Sequence, residues 1–375
     1  MTYLTDAIGA RVIERYQKSA NIVVVDDPAD TDGEVCRGAA ELFRRHGGAD
    51  VVFAASEYDL LTAARIRDKF GIAGMSESHT LYFRDKVHMK QRLCEAGIET
   101  PRFAECSSPA VVAEMMGEVG GPVVLKPRRG MGSRGIHIIA DEAELARAWP
   151  LIDPPTYECE EFVPGPIYHI DGLVHAGRLV FGTASKYVNT CLQAQGGMHL
   201  GSFVVDDEIL SRTLKTFAVK TTTALELDKS AFHLEVILRN GQTPVFLEIG
   251  ARIGGGQIRA MTKDVYGVDL LREWVNLQLG EKTELRVNDH SVGGWLVAPA
   301  PGTPPYRVLD AEHLSDHVPC LYHEELPEPG ELYDAARLRT DRWPGGRFRY
   351  AGPSSALVEH AITETIQRYR VLVSQ

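Results

Sequence analysis

Two apolar runs, residues 232–238 (FHLEVIL) and 244–249 (PVFLEI), flank a turn at Arg239-Asn240-Gly241, and each carries a single glutamate. An Asn-Gly pair between alternating strands marks a tight hairpin, so the runs lie antiparallel, side by side. Period-two alternation puts Leu234, Val236 and Leu238 on one face and Glu235 on the other, with His233 and Ile237. Counting by twos along the second run places Glu248 with Phe246 and Gly250. The two carboxylates can therefore converge. Inside apolar strands such a pair is costly unless a cation neutralises it. Mg²⁺ suits the pattern, because it takes one or two carboxylates and completes its shell with substrate phosphates. The alternative is two glutamates on a solvent face, which the apolar neighbours on both faces disfavour.

Upstream, short apolar runs alternate with longer amphipathic ones. Strands are expected at 21–25, 50–55 and 72–74, and helices at 6–18, 33–46, 57–70 and 77–96. This texture means βαβ units on a parallel sheet. The opening helix precedes any clear strand, so a strand ahead of it reads as missing or displaced. From Pro122 the texture becomes a mainly antiparallel α+β body. Strands fit at 122–126, 135–139, 157–163, 168–174, 179–188, 232–238 and 244–249; helices fit at 141–148, 206–225 and 270–279. A third segment begins near Gly293, with a proline-rich connection over 299–305 and a terminal helix over 354–373. The expected domains are thus 1–105 (α/β), 106–290 (a body with a small lobe at 106–163 and a large lobe at 164–290) and 291–375 (α+β).

Composition excludes several classes. The chain has 375 residues, 44% of them hydrophobic and 24% charged, with a net charge of −11. Such an acidic molecule repels polyanions, so nucleic acid is not an expected partner. No apolar run approaches the ~18 residues of a membrane span. The six cysteines, Cys36, Cys94, Cys106, Cys159, Cys191 and Cys320, form no CxxC pair and fit neither a zinc site nor a disulfide framework. A cytoplasmic location is the expectation.

Three further segments carry chemistry. In LKPRRGMGSRG, residues 125–135, an apolar strand ends in Lys126 and runs into a basic, glycine-rich loop. Such a loop can fold backbone N–H groups onto phosphates while lysine and arginine neutralise charge. The spacing is not that of a P-loop. Alone, the segment reads almost equally as an ordinary glycine-rich hairpin, with the lysine that ends a buried strand favouring phosphate. In ECEEFVPG, residues 158–165, a strand ends in a Pro-Gly turn that can offer backbone groups to a nucleobase; an acidic run is more often a solvated edge. Arg252, four residues after Glu248 and followed by Ile253-Gly254-Gly255-Gly256, suits a phosphoryl or carboxylate group, or equally a surface ion pair.

Taken together with LEVILRNGQTPVFLEIGARIGGG, residues 234–256, these segments resemble the ATP-grasp carboxylate–amine ligases, in particular the bacterial L-amino acid ligases and the carnosine-synthase-like branch. The resemblance covers roughly residues 22–362. It implies an ATP-grasp fold, α/β and α+β, with an N-terminal parallel-sheet domain, a two-lobed ATP-binding body and a small C-terminal segment. It assigns Lys86 and Lys126 to the ATP phosphates. The loop of Arg129, Gly130, Gly132, Ser133 and Gly135 resembles the phosphate lid, and Glu160, Glu161, Phe162 and Val163 resemble the adenine hinge. Glu235 and Glu248 match the Mg²⁺ ligands, with Mn²⁺ as the substitute ion. Arg252 matches the arginine that holds the acylphosphate, and Lys186 occupies a strand position where related ligases place a γ-phosphate contact. Two departures stand out. Gly250 replaces a frequent asparagine, and Ile167 stands near the position of an acidic ribose ligand, a polar role that falls to Asp171.

The implied activity joins a carboxylate to an amine, with amino-acid-like substrates, through an acylphosphate and release of ADP. A homodimer is the default assembly. The rival readings are an ATP-grasp enzyme of purine or carboxylation metabolism and a nucleotide-binding module without catalysis.

Overall fold

The chain begins with a strand that the sequence does not announce. In the computed structural model β1 (Thr2–Thr5) pairs in parallel with β2 (Asn21–Val24), Thr2 facing Asn21. The helix Ala7–Tyr16 makes the crossover, capped by Asp6, whose carboxylate accepts from the Gly9 N–H. The structure describes residues 1–25, 33–283, 285–288, 290–341 and 343–374. They form two compact units, Met1–Met89 and Lys90–Gln375.

In the first unit the expected strands at 50–55 and 72–74 do not form. The Val52 carbonyl is taken by the Arg67 guanidinium at 3.1 and 2.9 Å, so a side chain fills the acceptor that a ladder would use. The Ile72 N–H folds back to the Arg67 carbonyl, closing the helix Leu60–Phe70 beyond its left-handed Gly71 cap. The helix expected over 77–96 is broken. It runs over Glu77–Thr80, tightens at Leu81–Phe83, and restarts as Lys86–Glu95. Asp85 causes the restart, since its carboxylate accepts the Val87 N–H at 3.1 Å.

The second unit opens with a four-stranded antiparallel sheet of β3 (Phe103–Glu105), β4 (Val123–Pro127), β5 (His137–Ile139) and β6 (Tyr157–Glu161), in the order β3-β6-β4-β5. The helices Pro109–Val119 and Glu142–Ala148 cover one face, packing Val112, Met115 and Leu145 against Val123, Leu125 and Cys159. The first of these helices was not anticipated, although Ser108-Pro109 at its start and Gly120 at its end are ordinary helix punctuation.

The strands β7 (Ile167–His175), β8 (Arg178–Tyr187), β9 (Leu200–Val204), β10 (Ser230–Arg239), β11 (Thr243–Gly250) and β12 (Val292–Ala298) form most of a second sheet. Of β13 (Tyr306–Ala311), β14 (Leu321–Glu325), β15 (Leu332–Tyr333), β16 (Gly346–Gly352) and β17 (Val371–Ser374), β16 and β14 complete it. The order is β11-β10-β7-β8-β9-β12-β16-β14, antiparallel throughout. The other three make a small sheet, β15-β13-β17. One face of the large sheet packs Leu173, Ala231 and Trp295 on the helices Ile258–Tyr266 and Leu270–Leu279 through Met261 and Trp274. The opposite face packs Phe203 and Leu296 on the helix Ser355–Arg368 through Val358 and Ile362. The expected terminal helix therefore stops at Arg368, and the chain turns extended at Tyr369 to give β17. No helix among the described residues is long and apolar enough to cross a membrane.

Candidate functional site

A row of ionisable side chains crosses one face of the large sheet. Directly opposed residues in antiparallel strands project to the same side. Glu248 on β11 opposes Glu235 on β10, Glu235 opposes His169 on β7, and His233 opposes Asp171. All five therefore share a face. The register also corrects the expected company of Glu248. Glu235 pairs with Glu248 but Val236 pairs with Phe246, so Leu247 is an extra residue, a β-bulge. The bulge turns Phe246 to the apolar face with Val236, both fully buried, and leaves Glu248 with Gly250.

Glu235 is buried, and among the described residues the hydrogen bonds it receives end on one oxygen. Tyr187 donates to Oε1 at 2.8 Å, His233 Nε2 lies 3.3 Å from it, and the Cys191 thiol is 3.9 Å away. Burial together with the Glu235 charge drives the Tyr187 phenol well above its ordinary range and keeps it a donor. Burial and the same carboxylate push the Cys191 thiol up, so it is not a nucleophile at neutral pH. Glu248 is half-buried. Two opposed carboxylates, one with its second oxygen outside the hydrogen bonds just described, are a hard-oxygen donor set that fits Mg²⁺ or Mn²⁺.

Asp171 has other partners than the ribose role expected of it. It is 1% exposed, and its two oxygens face His169 Nδ1 at 2.5 Å and His233 Nδ1 at 2.8 Å. Burial raises its pKa, but the two imidazoles more than reverse this and hold the carboxyl well below the usual range. Burial lowers the pKa of His233, the Asp171 charge outweighs it, and the imidazole is raised to about 10. A Cβ on Gly254 would come within 2.4 Å of Asp171 Oδ1 and 2.8 Å of His233 Nδ1. The loop after Arg252 thus lays its backbone directly on this pair. Arg252 donates to the Ile253 carbonyl at 2.9 Å, and its charge is felt by both His233 and Cys191.

Lys186 is not brought to this face. It opposes Tyr168 and Phe203, one residue out of phase with Tyr187, and so projects to the opposite side of the sheet. There it pairs with Glu359 at 3.2 Å and lies over the Phe203 ring. Its expected γ-phosphate contact fails on the alternation of the strand.

On the four-stranded sheet, Lys126 opposes Glu158 and is almost fully buried. Its ammonium lies 2.6 Å from Glu160 Oε1 and 3.8 Å from Glu158 Oε1. Lys90 completes the group, 2.6 Å from Glu158 Oε1 and paired with Glu160 Oε2. Burial lowers the pKa of Lys126, but Glu160, Glu158 and Glu248 raise it further, so it stays charged. The Glu248 contribution places the lysine in the field of one member of the carboxylate pair. Lys90 and Glu158 were not singled out from sequence; their signal is a lysine and a glutamate that elements with buried faces give no route to solvent.

The loop after β4 holds Gly132 and Gly135 at φ of 61° and 69°, and Ser133 at 57°. Arg129 is exposed, the Gly130 N–H returns to the Pro127 carbonyl, and Gln195 donates to the Gly132 carbonyl at 2.7 Å. At the end of β6, the Glu161 and Phe162 N–H groups donate to the carbonyls of Arg102 and Pro122. Arg239 holds the Glu161 carboxylate at 3.0 Å, Phe162 is 39% exposed, and Val163 is buried against Ile237 and Val245. Lys86 begins the helix Lys86–Glu95, belongs to the Met1–Met89 unit, and is buried there.

Residues 83–256 match the ATP-grasp domain family. The chain is 26% identical to the L-arginine-specific L-amino acid ligase of Bacillus subtilis, over 72% of this chain and 66% of that protein. It is 24% identical to the alanine–anticapsin ligase of Bacillus subtilis strain 168, over 62% of this chain and 53% of that one. The chain thus spans about half to two thirds of the length of these curated relatives. The crystal structure of an L-amino acid ligase from Bacillus licheniformis superimposes with a TM-score of 0.76 and 18% identity, covering 95% of this chain and 88% of that one. By its matched segment and by its fold, an N-terminal parallel pair followed by a large antiparallel sheet, this chain carries an ATP-grasp domain on the ATP-grasp fold.

Proposed function

We propose that this protein is a cytoplasmic, ATP- and Mg²⁺-dependent ligase that joins an amino-acid-like carboxylate to an amine and releases ADP and phosphate. The observation that carries the reading is the direct opposition of Glu235 and Glu248 on one sheet face, with Lys126 in the field of Glu248. Bound Mg²⁺ would neutralise charge on the β- and γ-phosphates. Lys126 holds phosphate oxygens, and the backbone N–H groups of the 129–135 loop close over them. The substrate carboxylate attacks the γ-phosphorus, and the bond to the bridging oxygen breaks, so ADP leaves and an acylphosphate remains. Arg252 sits beside the Asp171–His233 pair, where it can meet negative charge on the acyl group and its phosphate. The amine then attacks the acyl carbon, the C–O bond to phosphate breaks, and the amine nitrogen loses a proton. Closure of the loop excludes water, which would otherwise hydrolyse the acylphosphate.

The test is a pairwise matrix of amino acids incubated with ATP and Mg²⁺ and assayed for phosphate. ADP with phosphate is the expected product, and with the amine withheld hydroxylamine should trap an acyl hydroxamate. Formation of AMP and pyrophosphate would overturn the mechanism. Glu248→Gln should abolish ADP formation with the fold intact, because it removes charge and no volume.

A further inference from the structure

The proposed chemistry leaves unexplained a continuous string of buried polar side chains behind Glu235. Ser202 Oγ lies 2.8 Å from His169 Nε2, His169 Nδ1 2.5 Å from Asp171 Oδ2, and Asp171 Oδ1 2.8 Å from His233 Nδ1. His233 Nε2 then reaches Glu235 Oε1 at 3.3 Å. The members come from β9, β7 and β10, and Tyr187 on β8 adds its hydroxyl to the same Glu235 oxygen. All six side chains are under a tenth exposed.

Burying this many polar groups is costly unless they satisfy one another. Here they do so in one direction. His233 turns Nδ1 to Asp171 and Nε2 to Glu235. Asp171 fixes the ring, and His169, itself held by Ser202, fixes Asp171. The string ends on Oε1 of Glu235, where Tyr187 also ends. A carboxylate gripped on one oxygen from two directions has its rotamer set, and the other oxygen is the one left to a cation.

We propose that Asp171, His169 and Ser202, acting through His233, and Tyr187, acting directly, are positioning residues that lock Glu235 Oε1 and so present Oε2 to the metal–nucleotide. This rests on the metal role given to Glu235 and Glu248 above. Partners of metal ligands that fix their orientation typically govern about 10–100-fold of metal affinity. The same three residues, His169, Asp171 and His233, offer donor atoms within 4.8 Å of one another, so a buried metal of their own is the competing use. Against it, each imidazole contacts a different oxygen of Asp171, and each has its second nitrogen engaged elsewhere.

The experiment measures Mn²⁺ binding by electron paramagnetic resonance, in the presence of ADP, for the full chain and four variants. Glu235→Gln should abolish tight Mn²⁺ binding. Tyr187→Phe, which keeps the ring volume, should weaken it about 10-fold, and Asp171→Asn by about 10-fold or more. Ser202→Ala, at the far end, should shift it in the same direction but less. Metal-free thermal melts identify any variant that fails to fold; Tyr187→Phe carries the test if Asp171→Asn does. Wild-type Mn²⁺ affinity in folded Tyr187→Phe and Asp171→Asn, with binding lost in Glu235→Gln, would overturn this inference and leave the metal assignment standing. Unchanged binding in Glu235→Gln would overturn both. Stoichiometric zinc in the purified protein, lost in Asp171→Asn, would replace the positioning role by a metal site.

Discussion

Lys126 Nζ sits 2.6 Å from Glu160 Oε1, with each side chain 4% exposed. Lys90, fully buried, is paired with the same glutamate and with Glu158, so the group holds two positive and two negative charges. Removing one partner of such a set strands a buried charge, at a cost of about 3 kcal/mol. Lys126→Met should therefore lower stability by about that amount and also abolish ADP binding. Lys126→Met with Glu160→Gln should regain most of the stability without regaining the nucleotide. Urea denaturation and titration calorimetry separate the two effects. Recovery of ADP affinity in the double variant would remove Lys126 from the phosphate site.

The glycine-rich loop should be cut by trypsin after Arg129 or Arg134 in the free protein and protected by Mg²⁺ and ADP. Both arginines are exposed, and the loop holds three left-handed residues, Gly132, Ser133 and Gly135. Gln195 ties it through the Gly132 carbonyl, so Gln195→Ala should speed cleavage without nucleotide. Equal cleavage with and without nucleotide would count against a phosphate lid.

Gly254→Ala should be poorly tolerated although the backbone there is not left-handed. The new methyl would meet Asp171 Oδ1 at 2.4 Å and the Ile258 side chain at 2.5 Å. Overpacking of this kind costs about 1–3 kcal/mol. Gly255→Ala is the control, because a Cβ there has nothing within 4 Å. A thermal melt of the two variants decides; equal midpoints would contradict the packing described.

Acid should unfold the protein through Glu160 and Asp171. Burial raises the pKa of both, but the lysines around Glu160 and the imidazoles around Asp171 outweigh it and hold each carboxyl down. A depressed folded pKa gives stability that is present above the unfolded value, about 4, and is lost as pH falls toward the folded value. The urea midpoint should be flat from about pH 6 to pH 5 and fall steeply below about pH 4.5. Asp171→Asn should flatten that fall.

The hairpin, the glycine loop and their carboxylates and lysine were legible because turn residues and alternation are local signals. Val52 shows where such signals stop. Its run looks like a strand, but a distant guanidinium takes its carbonyl. Asp85 was readable as a cap, yet the apolar pattern on either side hid the break it makes. Lys186 was misplaced because strand phase depends on the neighbouring register. The His169–Asp171–His233 string could not be seen at all, since its members meet only when β7 and β10 are paired.

The extra residue at Leu247 makes the site a matter of parity. From the turn at Asn240-Gly241, an unbulged strand would turn the residue at 248 to the side occupied by Val236, into apolar packing. Deleting Leu247 should restore an even ladder, with Glu248 drawn one step nearer the turn and still opposite Glu235. Losing the bulge at constant length would instead set Glu248 opposite Leu234 and remove the metal position, while every charged residue stayed in the chain. In a comparison of homologues, a one-residue gap placed at 247 therefore leaves the two carboxylates in register.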